Sequence, residues 1–136
     1  MIVLDTNIVL DAFVFSDPVT EPLKQALDLG ELQWVATPAM RDELERVLGY
    51  PKIAARLAYH QRTASDVLAR FDAQARLVDV AAKAPPTCRD ADDQKFIDLA
   101  VSHQAVLLSK DNAVLCMKKR LLAHGVSVQS AINFVV

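Results

Sequence analysis

Glycine is scarce in this 136-residue chain: Gly30, Gly49 and Gly125 are the only three, and they lie far apart. Their scarcity excludes the Gly-rich turns that cradle phosphates in dinucleotide-binding and P-loop proteins. Cysteine is scarcer still. Cys88 and Cys116 match no metal-ligand spacing and read as reduced thiols of a cytosolic protein. The three histidines, His60, His103 and His124, also lack such a spacing. His103 and His124 fall near expected helix C-termini, where they favour the helix dipole without any catalytic role. Neither sign of charge dominates, with 15 Lys and Arg against 17 Asp and Glu. That excludes a strongly basic domain that holds nucleic acid by bulk charge. No apolar run approaches the ~20 residues that span a bilayer. The first such run is too short for a secretory leader and is broken by Asp5. The expectation is a soluble, cytoplasmic protein that makes no use of a membrane.

What the chain has in quantity is apolar residues, 52% of the total. That is enough for a real core within one domain, expected to span residues 1–136. The opening Ile2-Val3-Leu4-Asp5-Thr6-Asn7 organises the rest. A short unbroken apolar run leading into polar residues and then a helical pattern reads as a buried parallel strand. The spacing predicts helices over 7–15 and 21–29, the second stopped by Gly30, and a strand over 33–36. A helix follows from Pro38 to Leu48, with proline at its first position. Residues 52–74 stay helical but are less apolar, as one bent helix or two short ones forming an arm. Further strands are expected at 76–80, 105–108 and 126–128, with a loop at 81–88 and helices at 91–103 and 113–123. A final helical turn is expected over 130–134. Strands alternating with helices predict an α/β fold with a mainly parallel sheet of four to five strands, covered on both faces. Trp34, flanked by strand residues, reads as core.

Several acids sit where a carboxylate is costly. In an open α/β sheet, ligands bind beyond the carboxyl ends of the strands, which places Asp5 at the lip of a site. Glu43 lies three residues after Met40 and four before Val47, along the apolar stripe of its helix. A glutamate at the edge of that stripe, reaching water, is an equal alternative. Asp42, Glu45 and Arg46 fall toward solvent. Asp93 begins the stripe of Phe96, Ile97, Ala100 and Val101, which capping alone does not require. Asp90 reads better as the cap of that helix, and Asp92 as solvated. The run Ala105-Val106-Leu107-Leu108-Ser109-Lys110-Asp111 repeats the opening grammar. Asp111 alone would be a helix cap; with Asp5 at another strand end it becomes a candidate ligand.

Carboxylates crowded together repel unless a cation meets them. An all-oxygen set suits Mg²⁺ or Mn²⁺, which keep several waters and also bind phosphate. Such an ion lowers the pKa of a bound water and stabilises the charge that develops on phosphodiester cleavage, and one or two ions would serve. It would also reverse the local field of an acidic site, so a balanced net charge does not exclude a nuclease. Thr6, Asn7 and Ser109 would orient the carboxylates or the attacking water. Lys110, Lys118, Lys119 and Arg120 would hold phosphates, or equally remain solvated cations.

The blocks Leu4-Asp5-Thr6-Asn7, Glu43-Leu44-x-x-Val47-Leu48, Arg89-Asp90-Ala91-Asp92-Asp93 before Phe96-Ile97-x-Leu99-Ala100, and Leu107-Leu108-Ser109-Lys110-Asp111 resemble PIN domains in content and order. With the closing Gly125-Val126-x-Val128 to Phe134, the likeness is to the toxin branch of that family and covers essentially the whole chain. The resemblance implies a three-layer α/β/α sandwich and a metal-dependent ribonuclease, often dimeric, often the toxin partnered by an antitoxin protein. It carries the metal-binding and catalytic acids onto Asp5, Glu43, Asp93 and Asp111, with Asp90 as a further acid. The family's hydroxyl before the last acid is Ser109. Its usual glycine after that hydroxyl is Lys110 here.

Two other classes compete. An aspartyl-nucleophile phosphatase needs an acid two residues after the first, where this chain has Asn7. A phosphorylated receiver domain would explain Lys110 but not the acids in the Glu43 and Asp93 helices. The non-enzymatic alternative is a catalytically silent PIN-like module that binds a protein partner through the 52–74 arm.

Overall fold

The computed structural model describes residues 1–131. Five short strands, β1 (Ile2–Leu4), β2 (Trp34–Ala36), β3 (Ala75–Leu77), β4 (Val106–Leu108) and β5 (Val128–Gln129), form one sheet in the order β3-β2-β1-β4-β5. Every neighbouring pair is parallel. The residues of β1 and β2 are all buried, as expected of parallel strands covered on both faces. The covering helices are α1 (Thr6–Phe13), α2 (Glu21–Asp28), α3 (Pro38–Leu48), α4 (Pro51–Tyr59), α5 (Ala64–Gln74), α6 (Gln94–His103), α7 (Asn112–Leu115) and α8 (Lys118–Leu122). Together they make an α/β sandwich. Among the described residues, no helix is long and apolar enough to cross a membrane.

The chain winds from β1 through β2 to the edge strand β3, then returns to the other side of β1 to form β4 and β5. The reversal falls between β1 and β4, which is where such sheets open a crevice at their carboxyl ends. Their register sets Leu4 opposite Leu108. Asp5 and Ser109, the next residue on each strand, are therefore neighbours at the mouth of that crevice. Asp5 N–H donates to the Leu108 carbonyl at 3.0 Å, and Ser109 N–H donates to Gln129 at 3.0 Å.

Trp34 is a core residue. Its ring stacks on Phe13, with centroids 6.2 Å apart, and meets Phe71 edge-on at 4.9 Å. This cluster joins β2 to α1 and α5. The 52–74 arm is two helices, and α5 starts at a reciprocal cap. The Thr63 hydroxyl accepts from Asp66 N–H at 3.1 Å, and the Asp66 carboxylate accepts from Thr63 N–H at 2.9 Å.

Boundaries differ from the expected ones in several places. The strand expected over 76–80 is Ala75–Leu77, although Val78 N–H still reaches Ala36 O at 2.8 Å. It is an edge strand, and Asp79 and Val80 run out into solvent. The helix expected over 113–123 is divided into α7 and α8. At the break Met117 N–H takes the tighter bond to Val114 O, 2.9 Å, and the Met117 side chain is fully buried. The strand expected over 126–128 pairs instead at Val128–Gln129. The helix expected from Ala91 opens with a 3₁₀ turn, Ala91–Asp93, before α6. The final turn expected over 130–134 extends beyond the described residues.

Candidate metal centre

Asp5 caps α1, and its Oδ1 accepts from Asn7 N–H at 3.4 Å. Its other oxygen accepts from the Ser109 hydroxyl at 2.7 Å. The two residues are separated by most of the chain, and the β1–β4 register is what joins them. Ser109 Oγ also accepts from Asp111 N–H at 3.1 Å, so one hydroxyl ties both strand-end acids together. Burial raises the pKa of Asp5, an effect opposed by the Ser109 and Asn7 donors and reinforced by the charges of Asp111 and Glu43.

On the next strand's helix, α3, Glu43 is half-buried while Asp42, Glu45 and Arg46 are exposed. The Thr6 hydroxyl donates to Glu43 Oε1 at 2.6 Å, and Lys95 pairs with Oε2. Thr6 directly follows Asp5, which is how α3 is drawn to the end of β1.

The other acids converge more closely. Asp90, Asp93 and Asp111 each offer a carboxylate oxygen, and these three oxygens lie within 4.8 Å of one another. Asp111 caps α7, accepting from Ala113 N–H at 2.9 Å, and Asp90 caps the 3₁₀ turn, accepting from Asp92 N–H at 3.0 Å. Capping and convergence are thus compatible, because capping engages one oxygen of each. Asp93 is buried, and its Oδ2 finds no hydrogen-bond donor among the described residues. Its pKa is pushed up to about 8, first by burial, then by a hydrogen bond with Asp111 and by the charges of Asp5, Asp111 and Asp90. Asp111 is held low by that same bond and by Ala113 N–H. The two carboxyl groups therefore titrate as a pair.

This donor set fits a hard divalent cation. It is all oxygen, it contains a buried carboxylate oxygen with no donor, and its carboxylates crowd together. Asp5 and Glu43 are not part of the close trio. Asp5 lies near enough for its charge to raise Asp93, and Glu43 near enough to raise Asp5.

The expected accessory residues divide. Thr6 and Ser109 donate to acids, whereas Asn7 contributes its backbone N–H and leaves its side chain exposed. Lys110 pairs with Asp11 and faces a cavity of about 170 Å³ lined by Ile8, Thr20 and Leu108, which none of the five acids lines. Lys118 and Lys119 border a separate hollow beside Val126 and Val128, again without the acids. Two residues were missed by the sequence reading. Asp11 is a buried acid on α1, and the spacing test that singled out Glu43 would have found it three residues after Ile8. Lys95 is a cation in the first turn of α6, the end of a helix that disfavours one.

No curated protein matches the chain. A family model described as the PIN domain matches residues 1–113, a span that holds all five acids and both hydroxyls of the site. The chain therefore belongs to the PIN-domain family, whose members are generally metal-dependent nucleases.

Proposed function

We propose that the chain is a Mg²⁺- or Mn²⁺-dependent endoribonuclease of the cytoplasm, and the toxin of a toxin–antitoxin pair. The observation that carries this reading is Asp93: a buried carboxylate, lacking a donor for one oxygen, set against Asp90 and Asp111. Asp90, Asp93 and Asp111 would hold the cation, with Asp5 and Glu43 completing the negative field. When bound, the ion supplies Lewis acidity toward a water and a phosphate oxygen.

The chain's own residues do the rest. Ser109 and the Asn7 N–H fix the Asp5 carboxylate at the β1–β4 crevice. Burial lifts the pKa of Asp5, which suits its carboxylate to take a proton from an attacking water. Thr6 orients Glu43 in the same way. A ribose-phosphate backbone needs no sequence-specific cradle to be cut here. That suits an acidic site in a chain with no Gly-rich loop.

A cognate antitoxin and a second copy of the chain are the partners of this reading. Supporting them, Tyr50 and Tyr59, at the two ends of α4, expose rings of the kind enriched at protein interfaces. The test is cleavage of single-stranded RNA with Mn²⁺ or Mg²⁺. Cleavage by the wild type, lost on chelation and in Asp5→Asn, is expected. RNA left intact by a folded, metal-loaded protein would favour the binding module instead. The toxin role is tested by the neighbouring reading frame, which should encode a DNA-binding protein that blocks the cleavage.

A further inference from the structure

Lys95 occupies the first turn of α6, where the helix's free N–H groups create positive potential and a cation is disfavoured. It is held there by acceptors. Its Nζ pairs with Glu43 Oε2 and donates to the Asp92 carbonyl at 2.7 Å, and it lies 5.0 Å from the Phe96 ring centre. With Thr6 on Oε1, both oxygens of Glu43 have a donor from the chain itself. Both oxygens of Asp5 do too, from Ser109 and Asn7. The side of the site formed by Asp90, Asp93 and Asp111 is different, because there Asp93 Oδ2 is buried with no donor among the described residues.

We infer that Lys95 is a built-in cation standing in for a second metal ion. The site takes a single divalent ion, on Asp90, Asp93 and Asp111, and the Lys95 ammonium neutralises Glu43. This rests on the nuclease reading and makes it more specific. An ammonium brings a fixed positive charge and three donors, so it can hold an anionic phosphate oxygen. It brings no exchangeable water, so the attacking water must come from the Asp93 side. The plainer alternative is that Lys95 only clamps α3 to α6.

Counting bound Mn²⁺ by titrating the metal-free protein, with the free ion followed by its paramagnetic resonance signal, separates the two. Wild type and Lys95→Arg should bind about one equivalent, and Lys95→Met about two, because Glu43 is released to bind an ion. Adding Glu43→Gln to Lys95→Met should return the count to about one. Lys95→Gln, which keeps a neutral donor, replaces the methionine variant if that one does not fold, and should also gain the second ion. Two ions in wild type, or one in a folded Lys95→Met or Lys95→Gln, overturns the role given to Lys95 and leaves the nuclease reading intact. No ion in wild type sinks the nuclease reading, and this inference with it.

Discussion

Asp93 is the residue on which the chemistry turns, and its protonation has a thermodynamic consequence. In the folded protein it titrates at about 8, against 3.8 for an ordinary aspartate. Between those values the folded chain holds a proton that the unfolded chain has released. The stabilising contribution of the protonated form is therefore complete below the ordinary value and is lost as pH rises through the folded one. Asp111, held low, has the opposite sign and matters only in more acid solution. The metal-free protein should thus melt at a lower temperature at about pH 8 than at about pH 5. Asp93→Asn should flatten that dependence. Mn²⁺ should raise the melting temperature more at the higher pH, because it no longer has to displace the proton. Thermal unfolding at the two pH values, with and without the ion, checks all three outcomes. Ser109 is the second residue to test. Ser109→Ala removes a buried donor from Asp5 and an acceptor from Asp111 N–H. It should cost about 1–3 kcal/mol of stability in urea unfolding and about 10–100-fold in RNA cleavage rate.

Individual elements were legible where local chemistry set them, and less so where packing did. Proline at the start of α3 and the Asx caps of α1 and α7 are local signals, and those helices begin within a residue of the expected places. The division of α7 from α8 has no local signal. It follows from burying Met117, and a continuous helical spacing over 113–123 hides it. The start of α5 is local again, fixed by the Thr63–Asp66 capping box. Thr63→Ala should cost about 1 kcal/mol in urea unfolding and leave metal-dependent cleavage unchanged, since the box lies in the arm and touches none of the acids. A loss of cleavage in that variant would mean that the arm's fold is coupled to the site.

At the scale of the whole molecule, strand order and register bring distant acids together. Asp5 and Ser109 meet because β1 and β4 are neighbours in a register that pairs Leu4 with Leu108. The apolar runs and their polar ends were readable along the chain, and so was the placing of both residues at strand ends. The pairing of Glu43 with Lys95, and of Lys110 with Asp11, was not. It depends on how segments distant along the chain come together in the fold. The same architecture rests on Trp34, which ties β2 to α1 and α5 through Phe13 and Phe71. Trp34→Ala should cost about 3–5 kcal/mol, read as a large fall in the urea midpoint.

The most direct measurement is diffraction from crystals soaked in Mn²⁺, recorded for its anomalous signal. A peak bounded by Asp90, Asp93 and Asp111, with Asp5 and Glu43 bordering it, is the predicted result. A peak on other residues, or none in crystals whose Asp93 is deprotonated, would contradict a hydrolytic site at the β1–β4 crevice.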